Sequence, residues 1–307
     1  MPKSRPLISF DWAVKRLLRS KTNFKILEGF LSELLKCQLK IEEIIDGESN
    51  KADQDDKSNK IDVLAKLTTG ELVIIEVQVN TEDDYFSRMI YGVSKAIVEH
   101  IEKGEKYSQV KKVYSINILY FDLGIGSDYI YHGTTSFTGM HNHDRLALSK
   151  KQKELYQSEH IEHIHPEYYL IKVNKFNEVA KNTLDEWIYF LKTDTIKDDF
   201  KAKGLAEAKE KLNYLKLPEA QKHEYDSYLE NLSYQRSMLD SSYKSGQYDG
   251  RIEGKAEGLT EGEIKAKTAS ILKMHNKSIS TENIANFVDL SIAEVKAIIA
   301  SNGKFNN

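Results

Sequence analysis

Cysteine is almost missing from these 307 residues: only Cys37 is present. An intrachain disulfide framework is therefore excluded, and a reducing cytoplasm is the expected compartment. Cys37 falls in the helical run Leu34-Leu35-Lys36-Cys37 and is read as packed rather than reactive. Long apolar runs are also lacking. None approaches the roughly 20 residues that a bilayer span requires, and Met1-Pro2-Lys3-Ser4-Arg5-Pro6 leads into polar helix rather than a signal-peptide core, so no membrane partner is expected. The chain has no excess of positive charge either. A net charge of −3 gives no global attraction to nucleic acid, so a DNA-binding surface has to be a local patch. Lys15, Arg16, Arg19, Lys21 and Lys25 are the candidate patch, with a solvated helix face as the equal alternative.

The composition that remains, 40% hydrophobic and 30% charged, is that of a soluble globular protein with one substantial domain and appendages. The most informative stretch is Lys60-Ile61-Asp62-Val63-Leu64-Ala65-Lys66-Leu67, the turn Thr68-Thr69-Gly70, then Glu71-Leu72-Val73-Ile74-Ile75-Glu76-Val77-Gln78-Val79. It reads as a β-hairpin with acidic residues set among apolar ones. A three-residue loop with Gly70 as its left-handed residue pairs Leu67 with Glu71. Counting outward sets Asp62 opposite Glu76, with Gln78 two residues on and hence on the same face. An isolated carboxylate in a core is costly unless it is paired or binds a metal. Two facing carboxylates suit a hard divalent cation, Mg²⁺ (or Mn²⁺), with the Val77 carbonyl as a further candidate ligand. Gln78 can then orient an attacking water, an arrangement suited to phosphodiester hydrolysis.

Asp62, Glu76 and Gln78 resemble the D…ExQ variant of the PD-(D/E)XK nuclease superfamily, more narrowly the Rpn-type recombination-promoting nucleases, or PD-(D/E)XK family transposases. Phe86-Ser87-Arg88-Met89-Ile90-Tyr91, Asp128-Tyr129-Ile130-Tyr131-His132-Gly133, Pro166-Glu167-Tyr168-Tyr169, Leu184-Asp185-Glu186-Trp187 and a Glu-Gly repeat extend the likeness over nearly the whole chain. The resemblance implies an α/β restriction-endonuclease-like core with a mixed central sheet, followed by an α-helical extension. It also implies a metal-dependent DNA endonuclease linked to recombination or mobile elements, with Asp62 and Glu76 as metal ligands and Asp62, Glu76 and Gln78 as the catalytic set. Arg88 and Tyr91, three apart on a helix read over Tyr85 to Glu102, are the substrate-binding candidates. Two positions depart from the pattern: Gln78 stands where the parent superfamily has Lys, and Gly92 stands where a second Tyr is common. The Gln78 substitution keeps a rival open, a catalytically inactive DNA-binding or oligomeric scaffold. A phosphodiesterase acting on RNA is a third reading.

Apolar positions Phe24, Leu27, Leu31, Leu34 and Leu35 mark an early helix. Glu28 borders its stripe and is a candidate accessory ligand, whereas Asp11 is read as a charge at a helix N-terminus. Asp53, Asp55 and Asp56 lie in a polar segment, 46–60, but lack the Gly and Glu spacing of a calcium loop. His141, His143, His160, His163 and His165 show no established zinc spacing. Val113 to Phe121 reads as a buried strand. The expected division is 1–175 for the nuclease-like core and 176–240 for the helical extension. Residues 241–307 hold a glycine-repeat segment and a C-terminal helical hairpin. Gly246, Gly250, Gly254, Gly258 and Gly262 recur every four residues, each costing about 1 kcal/mol of helix propensity. Self-association into a homo-oligomer and a semi-flexible arm are the two readings of that repeat. Ser291-Ile292-Ala293-Glu294 has capping-box spacing ahead of the last helix.

Overall fold

The computed structural model describes residues 7–45, 61–101 and 104–301. Segment 46–60, with Lys60 and the cluster Asp53, Asp55 and Asp56, lies outside the described residues. In chain order the elements are α1 (Phe10–Arg16), α2 (Phe24–Leu35), β1 (Ile41–Ile45), β2 (Val63–Leu67), β3 (Leu72–Gln78), α3 (Tyr85–Glu99), β4 (Val113–Leu119), β5 (Ile130–Gly133), α4 (Lys150–Tyr156), β6 (Glu167–Lys172), α5 (Thr183–Thr193), α6 (Leu205–Lys211), α7 (Glu219–Asn276), α8 (Thr281–Val288) and α9 (Ile292–Ala300). They divide into two compact units, Met1–Tyr228 and Leu229–Asn307.

The first unit is built on a mixed six-stranded sheet in the order β1-β2-β3-β4-β6-β5. Strands β3, β4 and β6 run parallel, and β1, β2 and β5 pair antiparallel with their neighbours. The α/β expectation, a mixed sheet followed by a helical region, is met. Residues of β3 are apolar on both faces apart from Glu76 and Gln78, and the strand is buried almost throughout, as a central strand between a hairpin partner and a parallel neighbour must be. Its pairing with β2 runs Val63↔Ile75, Leu64↔Ile74, Ala65↔Val73 and Lys66↔Leu72. The turn closes with Gly70 N–H donating to the Leu67 carbonyl and Leu67 N–H to the Glu71 carbonyl. Gly70 has φ 98°, the left-handed conformation that a side chain disfavours.

On one face of the sheet, Val93 and Ala96 of α3 pack against Leu64, Leu72, Ile74 and Val113. A second core joins α1, α2 and α5 through an aromatic cluster in which Phe10 meets Phe30, Trp187 and Phe190 at centroid distances of 5.7, 6.1 and 6.2 Å. Edge-to-face pairs of this kind add to the burial of their large apolar area. Trp187, within the Leu184-Asp185-Glu186-Trp187 stretch, is fully buried and donates Nε1–H to the Lys203 carbonyl at 3.0 Å. The same carbonyl sits where Gly29 leaves room: a Cβ on Gly29 would stand 2.3 Å from it.

Cys37 differs from its sequence reading. It follows the left-handed C-cap Lys36 beyond the end of α2 and is exposed, because the helix stops at Leu35, two residues before the thiol. Helix α3 ends at Glu99, short of Glu102.

In the second unit, α7 is solvent-exposed over 233–267. Its last turns contribute Ile271 to a small core with Ile284, Ala285, Val288 and Val295 of α8 and α9. Ser291 and Glu294 form the expected reciprocal capping box at the start of α9, which satisfies two otherwise orphaned N–H donors.

Candidate active site

The hairpin register carries one position past Val63↔Ile75, which sets Asp62 across from Glu76 on one face. Asp62 precedes β2, and its conformation is fixed at three points. The Val77 N–H donates to Oδ2 at 2.8 Å, Arg19 Nη2 donates to the Asp62 carbonyl at 2.6 Å, and Lys15 Nζ stands 3.6 Å from Oδ1. Glu76 is only 8% exposed, with Arg88 Nη2 3.7 Å from its Oε2. Burial first, then the Asp62 charge, pushes the Glu76 carboxyl up to about 8. Burial also raises Asp62, against the opposing pull of Lys15 and the Val77 N–H. Two carboxylates withdrawn from water and repelling each other form a set that a cation would neutralise.

Gln78, two residues on, gives its amide N–H to Glu82 Oε1 at 2.5 Å. Glu82 also takes Arg88 Nη1 between its two oxygens, which accept at 2.7 Å (Oε1) and 2.9 Å (Oε2). Arg88 Nε is buried with no hydrogen-bond partner among the described residues. The structure therefore brings together Asp62, Glu76, Gln78 and Arg88 of the sequence-derived candidates. Beneath them Tyr85 donates its hydroxyl to Asn117 Oδ1 at 2.9 Å, and Asn117, fully buried, is level with Glu76 in the β3–β4 register.

Two candidates stand apart. Tyr91 is 41% exposed on α3, with no hydrogen bond to the carboxylates among the described residues. Glu28 is buried, but its oxygens are engaged elsewhere: Oε1 accepts from the Ile41 N–H at 2.9 Å and Oε2 from Lys40 Nζ at 3.0 Å. It closes the start of β1 rather than facing Asp62. The acidic side chain that α1 or α2 does bring toward the hairpin is Asp11. It is 4% exposed and accepts from the Tyr228 hydroxyl. Its Oδ1 lies 2.6 Å from Lys15 Nζ, so Lys15 bridges Asp11 and Asp62.

The basic patch read from the sequence splits accordingly. Lys15 and Arg19 turn to the hairpin, while Arg16, Lys21 and Lys25 remain exposed. Asp11 and Lys15 are four apart on one helix, and that spacing was the available signal for their pairing. Glu82 had no comparable signal, because Glu82-Asp83-Asp84 reads simply as the acidic start of a helix.

Among the described residues no group of three His, Cys, Asp or Glu side chains is placed to hold a metal ion. The hairpin offers a two-carboxylate set, the number with which Mg²⁺ is commonly bound alongside waters and substrate phosphate. His160 and His163 meet ring to ring at 5.2 Å, and His165 packs on Phe137 at 5.5 Å. No helix of the described residues is long and apolar enough to cross a membrane.

A family model described as PD-(D/E)XK nuclease family transposase matches residues 8–242. That span holds the whole hairpin and α1 with Lys15, and it ends before Gly246, the first glycine of the repeat. No curated protein and no solved structure matches the chain.

Proposed function

The chain belongs to the PD-(D/E)XK nuclease transposase family, and from that membership we propose that it is a divalent-metal-dependent DNA endonuclease acting in recombination or mobile-element movement. The observation that carries the reading is the buried face shared by Asp62 and Glu76, with Gln78 beside them. Asp62 and Glu76 would hold Mg²⁺ or Mn²⁺, which when bound polarises a phosphoryl oxygen and acidifies water. Gln78, with its N–H groups held toward Glu82, keeps its carbonyl oxygen as an acceptor that orients the attacking water. Arg88 has a fork that matches phosphate as well as carboxylate, so a phosphodiester can replace Glu82 as its partner. Tyr91, exposed on the same helix, is the outer substrate contact. Glu28 has the accessory role of fixing the edge strand. The single, exposed Cys37 is compatible with a reducing cytoplasm as the working compartment.

Supercoiled plasmid is the direct test. Full-length protein with Mg²⁺ or Mn²⁺ is expected to nick it, chelator to stop the reaction, and Asp62→Ala or Glu76→Ala to slow it by about 100-fold or more. Equal nicking by all three proteins would remove the hairpin from the chemistry. Binding of DNA without cleavage in any metal would favour the inactive scaffold, which Gln78 in place of Lys motivates, and a matched RNA substrate cut faster than DNA would reassign the substrate.

We also propose self-association of the glycine-repeat segment with a second copy of the chain. Nothing lies within 4 Å of where a Cβ would stand on Gly246, Gly250, Gly254, Gly258 or Gly262. Tyr234, Met238, Tyr248, Ile252 and Leu259, all more than half exposed, recur at helical spacing on the opposite side of α7 from the glycines.

A further inference from the structure

We propose that Lys15 is a catalytic residue of the hydrolysis, supplying from α1 the positive charge that the hairpin lacks; the inference rests on the nuclease reading above. Phosphodiester attack gathers negative charge on the phosphoryl oxygens, and the two strands offer only carboxylates and the neutral amide of Gln78 around that position. Arg88 is drawn away from Asp62, with Nη1 on Glu82 and Nη2 nearest Glu76. Lys15 Nζ stands on the other side, 3.6 Å from Asp62 Oδ1. It meets the oxygen that the Val77 N–H does not occupy, since that donor takes Oδ2.

The placement is built into the fold. Asp11 is buried, held by the Tyr228 hydroxyl, and anchors Lys15 at 2.6 Å from one turn earlier on α1. Arg19, in the turn that follows α1, ties the end of that helix to the Asp62 main chain at 2.6 Å. An ammonium needed only to neutralise Asp11 would not require this second attachment of its helix beside the hairpin. The Lys15 side chain is 38% exposed, so its charge is accessible to a bound phosphate rather than sealed in the core.

In the reaction the water oxygen forms a bond to phosphorus and the P–O ester bond breaks, its electron pair leaving on the departing alkoxide. The water proton passes to solvent, and the alkoxide is reprotonated from solvent. Lys15 exchanges no proton. Its ammonium stays beside the non-bridging oxygens and stabilises their charge as it grows.

The test is single-turnover cleavage of supercoiled plasmid by full-length wild type, Glu76→Ala, Lys15→Met, Lys15→Arg, Gln78→Lys and the double variant Lys15→Met/Gln78→Lys, each with its thermal midpoint and DNA affinity. Lys15→Met is expected to slow the bound complex by about 100-fold with DNA affinity near wild type, while its midpoint falls because buried Asp11 loses its ion-pair partner. Lys15→Arg should retain more activity. Gln78→Lys should restore about 10-fold or more in the Lys15→Met background, because the charge then returns from the strand. Cleavage lost in Glu76→Ala but within about 3-fold of wild type in Lys15→Met would overturn the role of Lys15 and leave the nuclease intact. A slow Lys15→Met that neither Arg nor the strand lysine rescues would reduce Lys15 to a structural partner of Asp11. A folded wild type that cuts nothing overturns both readings together.

Discussion

Glu76 carries a carboxyl raised to about 8 from an ordinary value near 4.5, by burial and by the Asp62 charge. Between those two values the unfolded chain has released this proton and the folded, cation-free protein still holds it. The unfolded state therefore binds fewer protons, and the group makes stability fall as pH rises through the window. Below about 4.5 both states are protonated and above about 8 both are ionised, so the contribution is flat outside it. Glu76→Gln is expected to remove that slope in thermal unfolding followed from pH 5 to 8 without divalent metal. Parallel curves for wild type and variant would show that another group sets the trend. At this scale the sequence was informative where strand parity decides geometry: a three-residue turn with Gly70 was enough to bring Asp62 to Glu76. It was silent where a side chain's partner comes from far along the chain. Asp11 does stand in the first turn of α1, but nothing near it in sequence announces its partner Tyr228, 217 residues away. Glu28 looked like a ligand because its stripe position says nothing of the Ile41 N–H that claims it.

The elements divide along the same line. The β2–β3 hairpin, α3 and β4 announce themselves by alternating or continuous apolar runs. The edge strand β1, Ile41-Glu42-Glu43-Ile44-Ile45, breaks alternation and carries a register shift between Ile41 and Glu43, so its acidic pair hides it. Strands β5 and β6 fall on the Asp128 to Gly133 and Pro166 to Tyr169 stretches. There Tyr, His and Glu satisfy one another, as in the acceptance by Glu167 of Lys112 at 2.5 Å and His132 at 2.8 Å, and polar residues with buried partners do not read as strand from sequence. The contact of α2 with the start of α6 was equally unreadable. Gly29 faces the Lys203 carbonyl, and Gly204, at φ 81°, has its own Cβ position 3.1 Å from the Gly29 Cα. Gly29→Ala must push main chain apart, and a loss of about 1–3 kcal/mol is expected. Chemical denaturation checks it: a midpoint equal to wild type would mean that α2 and α6 separate without cost.

For the whole molecule, the glycine repeat poses a question of assembly. Five glycines in one helix disfavour it by about 1 kcal/mol each relative to alanine, and nothing within the described residues covers their side. If a second copy covers it, Gly250→Ala/Gly254→Ala adds methyl groups to the contact. The variant should then be more helical and yet smaller by light scattering than wild type. A wild type already monomeric at high concentration, or a variant that keeps the wild-type mass, would end the proposal. The repeat itself was plain in the sequence, but its continuity within a 58-residue helix from Glu219 to Asn276 was not, since glycine spacing alone suits an arm with breaks equally well.

That exposed helix has a further consequence in isotope exchange. Its central amides are sheltered only by bonds within their own helix, so small local openings suffice to trade hydrogen for deuterium. Amides in β3 and β4 are locked between neighbouring strands and exchange only when the sheet comes apart. One labelling time course would therefore record two protection levels along a single chain, and association of α7 with a second copy would appear as slowed exchange confined to its central turns.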